Sequence, residues 1–184
     1  MPLQVGPQDI VALYNLHRAY AEHENHLINH RVSWCITIQS FVIATFGFSI
    51  HKKYEVAVSI ASDAQKIAKL QPEILEFDVF LLFLTVVGFV VAMVTLYSVI
   101  AATESISSIN HHWNRTFQGS DELAKLLPPI VGGGHPKTGI RGQWLSWSLP
   151  IFFVGFWMVV GVFIIASVFG ITHGLFSQKG LLEP

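Results

Sequence analysis

His23, His26 and His30 recur at spacings of three and four within HENHLINHRVSW, just before a strongly apolar run. On a helix this spacing puts three imidazoles on one face. His26 and His30, at i and i+4, can supply two metal ligands from a single helix. His111, His112 and Glu104, farther along the chain, are the candidates to complete such a site, since a transition metal needs several ligands converging at about 2.1 Å. The sequence carries no HExxH, CxxC or paired ExxH, and none of its apolar runs contains a histidine of the kind that binds haem inside a membrane. No cofactor is therefore expected, with a metal ion on these histidines as the alternative. The same residues suit two other roles. Beside Asn25, Asn29 and Arg31 they can hydrogen-bond to a neighbouring helix as the wet end of a membrane span. They can also sense pH, because imidazole ordinarily titrates near pH 6.5 and clustered imidazolium groups repel. Replacing His23, His26 and His30 with Gln would then abolish a response between about pH 5.5 and 7.

Other chemistry is not suggested. Ser and His share helices, but there is no Gly-x-Ser-x-Gly. The glycine-rich LLPPIVGGGHPKTG lacks GxxxxGK[ST] and follows no strand, so it is expected to be a turn, with His135 near the histidine tails. The expectation is that the chain is not an enzyme. Its one cysteine, Cys35, can form no intrachain disulfide and reads as a small apolar filler.

Composition says what kind of object carries these residues. Of 184 residues, 52% are hydrophobic and only 12% charged, against about a quarter in a soluble domain. The formal net charge is −1 with no basic block, so nucleic acid is not an expected partner. Three windows approach the roughly 20 apolar residues that a spanning helix needs: 33–50, 78–102 and 149–171. The first 30 residues lack a signal-peptide pattern, so the first window is expected to act as the insertion signal.

The elements that must position the histidines follow from these windows. Residues 1–32 predict an amphipathic helical tail capped by Asp9, and 103–118 a helical extension of the second span. Residues 51–77 read as a loop with a surface helix closed by Pro72, 119–148 as a second loop, and 172–184 as a tail. Pro150 is placed in the first turn of the third span, where its missing N–H costs little. The fold class is all-α: a multi-pass membrane protein with three transmembrane helices, the first two extended as a helical hairpin outside the membrane. Three spans put the N-terminal tail and the 103–118 extension on the same side, so the two can pair. With the register set at the membrane boundary, His30 falls near Glu104, His26 near Ser108 and His23 near His111. Lys and Arg are almost evenly divided between the two sides; the larger polar mass places the N-terminus in the cytoplasm.

A polar-to-small stripe runs from the histidines into the first span: Ser33, Thr37, Ser40, Ala44 and Gly47, with Gln39 beside it. The second span has Thr85, Gly88, Ala92, Thr95, Ala102 and Ser105 at similar spacing. Such rows let membrane helices approach and hydrogen-bond. Alternatively, copies of the first stripe line a polar path through an oligomer. The span 33–50 holds no full charge, which disfavours a pump that uses a buried carboxylate.

Glu24 to Phe41, in the pattern E-HLINHR-x-x-W-x-x-x-x-Q-x-F, resembles the start of a group of small bacterial three-span membrane proteins. The PP-x-x-G and later LP before the last span are similar too. A looser similarity, over the long amphipathic helix entering a span, runs to the SLATT-type transmembrane effectors. The resemblance implies a bacterial inner-membrane protein, and the SLATT likeness implies pore formation. The expectation is thus an oligomeric, channel- or pore-like membrane protein, with Ser33, Thr37, Gln39 and Ser40 on the path and the histidine tails as vestibule. Its partners would be the lipid bilayer and copies of itself or another membrane protein. The alternatives are a non-catalytic accessory subunit and a metal-binding membrane protein.

Overall fold

The computed structural model describes residues 6–61, 64–117, 127, 130 and 136–179. These residues form three long helices and no strand: α1 (Pro7–Ala61), α2 (Ala64–Phe117) and α3 (Pro136–Lys179). Gln8–Ser59, Glu73–Arg115 and Ser146–Val168 are each long and apolar enough to cross a membrane. The all-helical class expected from the apolar windows is therefore present, with three helices long enough to span, which is consistent with a membrane protein.

The helices run past their expected ends. α1 starts at Pro7, whose fixed φ suits the first helical position. Asp9 is not the cap. It sits in the first turn, and its carboxylate accepts the Gly6 backbone N–H at 3.0 Å, while the Asp9 and Ile10 N–H groups donate to the Gly6 carbonyl. This is the reach-back half of a capping box. Of the stretch 51–77, expected as a loop with a surface helix, residues 51–61 are the last part of α1 and 64–77 the first turns of α2. No glycine interrupts HKKYEVAVSIA, so nothing stops the helix at the end of the apolar window. Pro72 lies within α2 rather than closing a surface helix. α3 likewise begins at Pro136, which leaves Pro150 inside the helix and fully buried instead of in its first turn. Pro150 denies the Ser146 carbonyl its helical donor, an interruption that membrane helices tolerate where surrounding groups compensate. Of the stretch expected as a glycine-rich turn, Pro136–Gly139 are the start of α3, and residues 131–134 and His135 lie outside the described residues.

The chain divides into two units, Met1–Trp34 with Val94–Pro150, and Cys35–Met93 with Ile151–Pro184. In the first, α1 and α2 pair antiparallel. Tyr14 meets Trp113 edge-on at 5.6 Å, and Arg31 Nη1 donates to the Ser98 carbonyl at 3.0 Å. Tyr14, Ala21, Trp113 and Ile130 form one core, and Ile28, Val99, Ala102 and Ile106 another. Trp147 of α3 joins the second core and donates from its indole nitrogen to Thr103 Oγ1 at 3.2 Å. In the second unit, Val42, Leu84 and Trp157 are the buried centre of all three helices.

The buried seam of α2 runs through Asp78, Leu81, Thr85, Gly88, Ala92, Thr95, Val99, Ala102 and Ile106, with Leu84, Thr103 and Trp113 buried outside that row. The seam positions alternate by three and four, as in left-handed helix packing. The expected row on the second span matches this seam from Thr85 to Ala102 and leaves it at Ser105, which is half-buried. The buried face of α1 is a different one from that expected: Tyr14, Ala21, Ile28, Cys35, Val42 and Ser49 recur every seven residues. The polar-to-small row from His23 to Gly47 is exposed along its whole length. Tyr14, Ile28 and Val42 fill the wider spaces between helices, and Ala21, Cys35 and Ser49 the narrower ones.

Candidate functional site

Gln39 is the centre of the polar architecture in the second unit. Its side chain is wholly buried, on the α1 face that meets both neighbouring helices. Gln39 Nε2 donates to the Gly88 carbonyl of α2 at 2.8 Å. Gln39 Oε1 accepts the Trp157 indole N–H of α3 at 2.7 Å. One amide thus ties three helices in one layer. Gly88 is required for that layer, because a Cβ placed on it would lie 2.3 Å from Trp157 Cε2. Phe46 and Phe156 contact the Trp157 ring edge-on at 5.6 and 5.0 Å. Both ends of the amide are bonded inside the protein, so Gln39 orients helices and presents nothing to an ion or to water.

Ser33, Thr37 and Ser40, expected on the same path as Gln39, lie on the opposite, exposed side of α1. Ser40 Oγ donates to the Ile36 carbonyl at 2.8 Å, and Thr45 repeats this with Phe41 at 2.9 Å. Such back-bonds satisfy a hydroxyl within its own helix and leave its oxygen free to accept from outside. At Gly47 an added Cβ would meet no atom within 4 Å. The stripe is therefore an outward face of small and hydroxyl residues on a membrane-length helix.

The histidines are not gathered. His23, His26, His30, His111 and Glu104 are all exposed. Among the described residues, no three His, Cys, Asp or Glu side chains are placed to hold a metal ion. The expected register is the reason. Arg31 meets Ser98, and His17 stacks on His112 with ring centroids 6.0 Å apart and planes 7° from parallel. The pairs expected from the membrane boundary, His30 with Glu104 and His23 with His111, are displaced by more than one helical turn. His17 is the histidine that the i, i+3, i+4 reading passed over. It is half-buried, three residues beyond Tyr14 on the packing face. Its Nδ1 lies 2.9 Å from the Leu13 carbonyl, which can only accept, so Nδ1 is the donor of this bond.

A second feature was not expected. Lys53 of α1 and Asp78 of α2 form an ion pair whose side chains are 22% and 5% exposed. Asp78 occupies a seam position, and that regular place on α2 is the signal in the sequence that could have found it. Beside the pair, Phe46, Leu81, Val160 and Ser167 help line a groove of about 340 Å³.

No protein-family model matches the chain, and neither a curated protein nor a solved structure matches it.

Proposed function

We propose that the protein is a homo-oligomeric integral membrane protein of channel or pore type, whose copies meet around the outward stripe of α1. The observation that supports this is the rotation of α1. Gln39 is turned inward and bonded at both ends, while Ser33, Thr37, Ser40, Ala44 and Gly47 face away from the other helices. A stripe of hydroxyls and small residues gains nothing from lipid contact. It gains from close approach of another helix or from a wet lumen. On this reading Ser33, Thr37 and Ser40 line the contact or path, and Gln39 fixes the rotation that presents them. The histidine-bearing tails of α1 and α2 stand outside the bilayer on the cytoplasmic side of a bacterial inner membrane, as a vestibule. No catalytic role and no cofactor are assigned.

The test places a cysteine at Thr37 or Ser40 in a Cys35→Ala background, in membranes. A path gives labelling by a membrane-impermeant thiol reagent, together with a closed oligomer in native mass spectrometry and ion flux in liposomes. Disulfide cross-linking between copies without labelling means a dry contact and no pore. A monomer, or a monomer held by a different chain, replaces this reading with an accessory subunit that seats the same stripe on a partner.

A further inference from the structure

The groove beside Lys53 and Asp78 has a polarity that neither the stripe nor the Gln39 node explains. Its charged end is the ion pair. From Lys53 back to Phe46, α1 rises about 10 Å, and over that distance the walls are apolar, with Phe46 and Ile50 on α1 and Val160 and Phe163 on α3. Asp78 is almost closed off while the Lys53 side chain is a fifth exposed, so Lys53 is the more accessible member of the pair. An ammonium has three donors, and Asp78 Oδ1 takes one of them. Lys53 also lies just beyond the apolar window 33–50, at the depth where lipid headgroups begin.

An anion joined to an acyl chain is the complement of this surface. We infer that the groove binds one glycerophospholipid per chain, with its phosphate on Lys53 and its first acyl methylenes along Phe46, Leu81 and Val160. A free phosphate ion would leave the apolar walls uncovered, and a neutral lipid would offer Lys53 only uncharged acceptors, which bind an ammonium more weakly. The volume, about 340 Å³, lies at the lower end of the roughly 300–1,000 Å³ of ligand sites, enough for the headgroup-proximal part of one chain. The site goes beyond the channel reading. It holds equally for an accessory subunit and needs only insertion in a bilayer.

Native mass spectrometry tests it, on the full chain in mild detergent titrated with phosphatidylglycerol or with diacylglycerol of the same chains. One phospholipid per subunit is expected, retained about tenfold better than diacylglycerol, the scale of one charge-assisted hydrogen bond. The paired change Lys53→Met with Asp78→Leu removes both charges together and should bring the two lipids to parity. Ser167→Phe leaves the ion pair intact, fills the groove and should remove the adduct. Helical circular dichroism confirms that each variant folds, and either variant alone tests the site. Equal retention of both lipids by the natural chain, or a phospholipid adduct that persists in a folded variant, overturns the inference. So does a Ser167→Phe chain that changes copy number while keeping its lipid, since the groove is then a contact between copies.

Discussion

At the residue scale the Gln39 amide does what an isolated glutamine in an apolar span must do. It satisfies both of its ends within the protein, one on a backbone carbonyl of α2 and one on an indole of α3. Interhelical hydrogen bonds in membranes contribute about 0.6 kcal/mol on average and up to about 2 kcal/mol. A double-mutant cycle with Gln39→Leu and Trp157→Phe, read by unfolding in detergent, should therefore give a coupling of about 1 kcal/mol. No coupling would mean that the indole bond adds nothing to packing. Gly88→Ala should cost more, about 1–3 kcal/mol, because the new methyl overlaps a buried ring that cannot swing away. A melting temperature unchanged by Gly88→Ala would disprove the tight layer. Gln39 and Gly88 could be picked from the sequence as polar and small residues inside spans. Trp157 could not be paired with them, since 118 positions separate it from Gln39 and nothing local marks the contact.

At the element scale, the seams explain which predictions held. On α2 the small residues Gly88 and Ala92 sit at the packing positions themselves, so a reading by small side chains found the correct face. On α1 both faces mix sizes, with Ala21, Cys35, Gln39 and Ser49 inward and Tyr20, Trp34 and Phe41 outward, so the same reading did not mark the face that packs within the chain. The partner position on α1 also changes. In the first unit His17, Glu24 and Arg31 follow the buried sevenfold row by three residues; in the second, Gln39, Phe46 and Lys53 follow it by four. An α-helix drifts by about 20° per heptad from a strict sevenfold repeat, and changing the partner position keeps both faces inward. The pairing of the α1 tail with α2 rests on Tyr14 and Trp113. Trp113→Ala should cost about 3 kcal/mol in that core and speed amide exchange across residues 10–21. Exchange unchanged there would mean that the pairing is held elsewhere.

At the scale of the whole molecule, the exposed side chains include Trp34, Phe41, Phe48, Phe83 and Phe163, a surface suited to acyl chains rather than water. The chain is expected to stay with membranes after an alkaline wash and to leave them only in detergent; release by alkali would refute a spanning topology. Three membrane-length apolar helices and an all-α class were legible in the sequence alone, because hydropathy and run length are local sums to which each residue contributes independently. The long tails were legible for the same reason: no breaker interrupts α1 after its first turn before Gly47. The tertiary structure decided the rotation of α1, the register that pairs His17 with His112 in place of the expected histidine cluster, the Gln39 node, and the meeting of Lys53 with Asp78. Each depends on which side chains fit against one another across helices, and packing of that kind is a property of pairs distant in the chain that no window along it contains.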